Sequence, residues 1–349
     1  MNKVAVILFN LGGPDQPSSV QPFLFNLFND RAIINLPQPI RWLIAKRISS
    51  KRAPIAREIY QHLGGSSPLL KMTEDQGQAL EARLSEQMQA RVFIAMRYWH
   101  PMSEETVKQV IAYNPDQIVL LPLYPQFSTT TSGSSLKEWQ HAASAAGLAA
   151  PTSAICCYPS EPGLVSAHRQ LIENALGKIE SHLPVRILFS AHGLPQKIID
   201  RGDPYQQQVE ITAKAIFDQI KHSNPERNID HVICYQSRVG PLKWIGPSLD
   251  EELERAARDE VAIVIDPLAF VSEHSETLVE LDIEYREMAE QLGIKHYHRV
   301  ETVAVADSFI DGLANLVEQS LTVKTPVLCG ENSGNRICSL NNGLCPNTG

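Results

Sequence analysis

Two hydrophobic patterns alternate along the chain. Short runs rich in aliphatic and β-branched residues occupy 4–9, 92–96, 118–121, 185–189, 231–234 and 261–265. Stretches with apolar positions at helical spacing lie between them, at 74–86, 103–112, 205–221 and 275–291. Continuously apolar strands separated by amphipathic helices are the signature of parallel sheets covered on both faces. Three strands fall before residue 150 and three after 184, which predicts an α/β chain of two doubly wound lobes. A cleft between the lobes is expected at the carboxyl ends of the strands, where such sheets keep their chemistry. The expected division is an N-terminal lobe at 1–165, a C-terminal lobe at 166–325 and a tail at 326–349 that loses periodicity and gains Asn, Gly and Cys.

Composition narrows the function classes. The 349 residues carry 31 Lys and Arg against 39 Asp and Glu, a net charge of −8, which argues against a general nucleic-acid binder. No apolar run is long enough for a membrane-spanning helix. The opening Met1-Asn2-Lys3 leads straight into the first strand without a small-residue cleavage site, so it reads as a strand and not a signal peptide. The chain therefore reads as cytosolic, and its six cysteines as reduced.

Polar or special residues follow each strand. Asn10-Leu11-Gly12-Gly13-Pro14 lacks the lysine and glycine spacing of a phosphate loop and reads as a tight turn. Ser190-Ala191-His192-Gly193 places a histidine between small residues at a strand's carboxyl end, a position suited to a base or ligand as well as to structure. In the segment after the sixth strand, an α-helix would stack Glu276, Glu280 and Glu284 on one face. Leu278, Leu281 and Tyr285 would lie opposite, interrupted by Asp282. A column of carboxylates is either a solvated face or the lining of a wet cleft, where it suits a cation path or proton relay.

Taken in order, the motifs resemble those of the ferrochelatase family over about residues 4–320. They include Leu11-Gly12-Gly13-Pro14, Gly64-Gly65-Ser66-Ser67-Pro68, Arg97-Tyr98-Trp99-His100-Pro101 and Tyr124-Pro125-Gln126-Phe127-Ser128. Ser190-Ala191-His192-Gly193-Leu194-Pro195, Gln236-Ser237-Arg238-Val239-Gly240-Pro241, Trp244-Ile245-Gly246-Pro247 and Glu276-Thr277-Leu278 continue the series. The resemblance implies two similar Rossmann-like lobes with four-stranded parallel sheets, and insertion of Fe²⁺ into protoporphyrin IX with loss of two protons. It implies His192 as base, Glu276 as Fe²⁺ ligand or second proton acceptor, and Glu280 and Glu284 as a relay. Ile34, Leu43, Tyr98 and Trp244 would wall the macrocycle, although Ile34 and Leu43 alone read equally well as core. Ser237 and Arg97 would hold its polar edges. One departure stands out: relatives carry Leu-Asn before the last helix, where this chain has Val303-Ala304-Val305-Ala306-Asp307.

Residues 31–57 hold seven basic residues and no acid, with Trp42, Leu43, Ile44 and Ile48 among them. Basic and Trp/Leu amphipathy suits either a solvated helix with a packed inner face or an anionic lipid surface. A poorly soluble substrate favours weak peripheral contact with the inner membrane. Cys329, Cys338 and Cys345 sit in the tail, and a fourth thiolate from Cys157, or its neighbour Cys156, would complete an iron–sulfur or zinc site. Some ferrochelatases hold a [2Fe–2S] cluster on such a set. The internal cysteine of the animal pattern is replaced here by Thr129, so the donor must differ. Free thiols on a mobile tail remain an alternative. Rival functions are a chelatase for coproporphyrin or another metal, and a non-catalytic porphyrin-binding module; the carboxylate column favours an enzyme.

Overall fold

The computed structural model describes residues 3–347 apart from 239, 241, 324 and 331–333. Val239 and Pro241 of the motif beginning at Gln236, and 331–333 and 348–349 of the tail, thus lie outside the described residues. The chain divides into two compact units. One comprises Met1–Cys157, Leu313–Arg336 and Pro346–Gly349, the other Tyr158–Gly312 and Ile337–Cys345.

In the first unit, β1 (Lys3–Asn10), β2 (Gln89–Met96), β3 (Gln117–Pro122), β4 (Thr152–Cys157) and β9 (Val327–Cys329) form one parallel sheet in the order β2-β1-β3-β4-β9. Every residue of β1 from Val4 onward is buried, as a central parallel strand requires. Ala5, Ile7 and Phe9 point to one core with Trp139 of α5 (Ser132–Ala145); the Phe9 and Trp139 rings meet edge to face at 5.8 Å. The other helices of this unit are α1 (Val20–Phe28), α2 (Gln38–Gln61), α3 (Leu69–Ser85) and α4 (Ser103–Tyr113).

In the second unit, β5 (Val185–His192), β6 (Ile229–Gln236), β7 (Ala262–Asp266) and β8 (Tyr297–Arg299) form a parallel sheet in the order β6-β5-β7-β8. Its helices are α6 (Pro162–Leu176), the single turn α7 (Gln196–Ile199), α8 (Tyr205–Ser223), α9 (Leu249–Arg258), a π-helix (Glu276–Glu284) and α10 (Tyr285–Gln291). The last helix, α11 (Asp307–Thr322), begins here and ends in the first unit. β5 feeds two cores. Val185, Ile187 and Phe189 pack with Val209, Ala213 and Ile216 of α8, whereas Leu188 packs with Leu249 and Leu253 of α9 and with Cys234. This is the period-2 alternation of a strand buried on both faces.

Four expectations are corrected. The first sheet has five strands, not four, because β9 of the tail adds to its edge, with Cys157 opposite Cys329 in register. The units divide at 157/158 instead of 165/166, and the tail contributes to both units instead of standing apart. The 275–291 stretch is a π-helix followed by a short α-helix, not one α-helix. In α2 the buried residues are Ala45, Ser49, Ala53 and Tyr60, so the inward face is mostly small residues. Ile40, Trp42 and Leu43 are exposed (Leu43 at 62%), beside the basic side chains. Among the described residues, no helix is long and apolar enough to cross a membrane.

Candidate active site

The carboxyl ends of two adjacent strands start the site. His192 ends β5, and its register partner on β6 is Gln236, also the last residue of its strand. Ser237 follows with φ of +60°, a left-handed turn that aims its backbone N–H at Glu280. Gly193, beside His192, is tightly enclosed: a Cβ there would crowd the Gln236 carbonyl oxygen at 3.0 Å and Trp244 at 3.4 Å.

The π-helix brings its carboxylates to these strand ends. His192 Nδ1 lies 2.8 Å from Glu276 Oε2. Ser237 donates to Glu280 through its backbone N–H at 2.8 Å and its hydroxyl at 2.5 Å, and the hydroxyl lies 3.3 Å from Glu276 Oε2. Gln236 Nε2 donates to the Glu276 carbonyl at 2.9 Å and to Glu280 Oε2 at 3.1 Å, while its Oε1 accepts from Ser190 at 2.7 Å. Tyr205 donates its hydroxyl to the His192 carbonyl at 3.1 Å. His274 Nε2 stands 3.9 Å from Glu276 Oε2. Three ionisable groups are therefore fixed by groups that are themselves hydrogen-bonded.

Their protonation follows from this geometry. For Glu276, burial raises the pKa, but the His192 charge and hydrogen bond, with His274 behind them, outweigh it and hold the carboxyl well below its usual range. For His192, burial alone would lower the pKa; attraction to Glu276 and Glu280 wins and raises it. Glu280 moves the other way from Glu276. Burial and the neighbouring Glu276 charge raise it, against the Ser237 and Gln236 hydrogen bonds. Two carboxyl groups on one helix are thus split into a stable anion and a proton acceptor, the division an acid–base site needs.

Of the sequence candidates, His192, Glu276, Glu280 and Ser237 come together. Glu284, at the end of the π-helix, is exposed and does not join the hydrogen-bonded set. Trp244 bridges to Pro195 in the strand-like pairing next to Gly193. The remaining candidates belong to the first unit. Arg97 donates to Asp30 at 2.9 Å and to Ser134 at 2.7 Å. Tyr98 is a core residue, 1% exposed, whose hydroxyl donates to Asp30 at 2.8 Å, so its ring has no free face. Ile34 is half-buried and Leu43 exposed. Sequence reasoning gave no role to Gln236, Ser190, Tyr205 or His274. Gln236 had a usable signal, its place at the end of the strand beside that of His192; Tyr205, thirteen residues from its partner and on a helix, had none.

The thiols divide between the units. In the first, Cys157 Sγ lies 3.5 Å from Cys329 Sγ and 3.7 Å from Cys156 Sγ, all buried. In the second, Cys338 Sγ accepts from Gln208 Nε2 at 3.0 Å, and Cys345 is buried. Among the described residues, no group of three or more His, Cys, Asp or Glu is arranged to hold a metal. The Cys157–Cys329 spacing nevertheless fits two thiolates on one metal, since metal–sulfur bonds of about 2.3 Å at tetrahedral angles put sulfurs slightly under 4 Å apart.

The family described as Ferrochelatase matches residues 3–321. A ferrochelatase of Caulobacter vibrioides is 52% identical over 347 residues, covering 99% of this chain and 97% of that protein. One from Pelagibacter ubique is 48% identical over 318 residues, covering 90% of each. Among solved structures, SirB from Bacillus subtilis with Fe3+ superposes with a TM-score of 0.53 at 11% identity, covering 92% of this chain and 96% of that one, a likeness of fold.

Proposed function

The chain belongs to the ferrochelatase family, and from that premise we propose that His192, Glu276 and Glu280 carry the proton traffic of metal insertion into protoporphyrin IX. The enzyme is a lyase that inserts ferrous iron into porphyrin, the terminal step of haem biosynthesis. Two pyrrole N–H protons leave as Fe²⁺ enters, so a site needs two acceptors and a place for the cation.

With Nδ1 turned to Glu276, His192 presents Nε2 as the base that takes the first proton. The imidazolium so formed is neutralised by the Glu276 carboxylate 2.8 Å away. Glu280, whose affinity for protons is already raised, takes the second and passes it towards exposed Glu284 and solvent. An imidazole nitrogen and a carboxylate oxygen bind Fe²⁺ with moderate strength, which suits a metal that must be handed on. Ser237 and Trp244 meet the macrocycle beside His192. The observation that carries this reading is the His192–Glu276 pair at the strand ends with Glu280 one turn on. The test is anaerobic Fe²⁺ and Zn²⁺ insertion into protoporphyrin and coproporphyrin by wild type and His192→Ala. Abolished insertion with porphyrin still bound is expected; near-normal turnover removes His192 from the mechanism, and a preference for coproporphyrin reassigns the substrate.

We also propose a [2Fe–2S] cluster held by Cys157, Cys329, Cys338 and Cys345. Register favours Cys157 over Cys156, because Cys157 is the residue opposite Cys329. When bound, the cluster supplies thiolate bonds that order the tail and no part of metal insertion. The basic surface of α2, with its exposed Trp42 and Leu43, supports a weak peripheral contact with anionic lipid by a cytosolic protein.

A further inference from the structure

Asp282 breaks the apolar face of its helix, and metal insertion does not need it. Its close partner is Arg299, the last residue of β8 and only 6% exposed; Arg286, one turn on, stands farther off with Nη2 3.8 Å from Asp282 Oδ1. Arg299 donates from Nε to Asp282 Oδ1 at 2.9 Å and from Nη2 to Asp282 Oδ2, a two-pronged pair. From Nη1 it donates to Glu273 Oε1 at 2.6 Å, and that oxygen also accepts from the Thr302 backbone N–H at 2.9 Å. One guanidinium therefore grips both sides of the segment that contains Glu276 and Glu280. β8 is tied to β7 in register, Arg299 opposite Ile265, so the grip is anchored to the sheet. Tyr297, on the same strand, adds a hydroxyl bond to the Leu281 carbonyl at 2.5 Å.

We propose that Arg299 is a positioning residue for metal insertion: its clamp on Glu273 and Asp282 fixes the π-helix at the winding that sets Glu276 against His192 and Glu280 against Ser237. A nine-residue π-helix is an uncommon winding, and an α-helical or frayed alternative would rotate both carboxylates away from their partners. Only arginine fills the role, because its planar fork satisfies a carboxylate with two bonds and still has a third to spare, whereas lysine offers a single point charge. The titratable groups that face the carboxylates are His192, His274 and Tyr205 around Glu276, and Tyr285 beside Glu280. The inference rests on the reading of Glu276 as the anion that steadies the His192 imidazolium and of Glu280 as a proton acceptor.

The test uses full-length Arg299→Met, Arg299→Lys and the milder Asp282→Asn, with Glu276→Gln alongside. Zn²⁺ insertion is followed across pH with kcat and KM for porphyrin, well below each melting temperature. Misplacement of acceptors by about an ångström predicts a tenfold to hundredfold loss of kcat in Arg299→Met, with porphyrin KM nearly unchanged and a displaced pH profile. Arg299→Lys should recover part of the rate, and Asp282→Asn should reproduce most of the loss. Wild-type kcat and pH profile in folded Asp282→Asn or Arg299→Met overturns the proposal. So does a rate loss that follows melting temperature while the pH profile stays wild type. Full activity in Glu276→Gln would instead sink the carboxylate reading itself, a separate failure.

Discussion

Replacing Glu276 by Gln removes a charge but little volume, and the structure says what should follow. The carboxylate faces His192 Nδ1 at 2.8 Å, with side-chain exposures of 38% for His192 and 26% for Glu276. A hydrogen bond to a charged group contributes about 1.5–3 kcal/mol, and this degree of exposure points to the lower end. The wild-type His192 pKa is raised, so the acid limb of insertion, where the base becomes free, lies above the ordinary imidazole value. In the variant that limb should move down, because the attraction to Glu276 that raises it is gone. The same energy acts on the imidazolium that forms as the pyrrole proton arrives, so the plateau rate should fall about tenfold. Well below both limbs the two changes cancel, because the weaker base is more often free. Rates of variant and wild type should therefore converge in acid and diverge about tenfold in the alkaline plateau. The assay is Zn²⁺ insertion into protoporphyrin across the pH range, with porphyrin binding measured in parallel. A constant deficit at every pH refutes the pairing argument and assigns Glu276 to holding the metal; no deficit at any pH removes it from the reaction.

The cluster reading predicts brown anaerobic protein with about two irons and two sulfides per chain; Cys157→Ser should lose the colour and melt lower, whereas Cys156→Ser should keep both. Colourless wild type ends the cluster proposal, and the reverse pattern makes Cys156 the ligand. Protein mixed with vesicles rich in anionic lipid should co-sediment weakly, less at high salt, and Leu43→Glu should abolish binding. Equal binding to neutral vesicles, or no effect of Leu43→Glu, refutes a lipid-facing α2.

The parallel sheets were legible because their strands are apolar without interruption, a consequence of burial on both faces; β1 and β5 are the clearest cases. The short strands β8 and β9 were not, since three residues carry no period. The tail was misread for the same reason: Val327-Leu328-Cys329 is too brief to signal a strand, yet pairing with β4 orders it. On α2 the large apolar residues drew attention, while the inward face is built largely of Ala and Ser, which allow close packing without looking hydrophobic.

The active segment shows why a list of candidate residues need not carry their geometry. Glu276 and Glu280 were legible as a pair because four residues separate neighbours on almost any helix. The winding was not legible, because nothing local asks for a π-helix; the constraint comes from Arg299 on another strand and from Ser237 and Gln236 at the end of β6. Asp282 looked like a flaw in an apolar face for as long as Arg299, seventeen residues away and the partner that takes both its oxygens, was unseen. The split between a strongly acidic Glu276 and a proton-seeking Glu280 likewise depends on which of them meets His192. That contact is set by the π-helix, so the acid–base division of labour is a property of the tertiary structure and of the clamp that holds it.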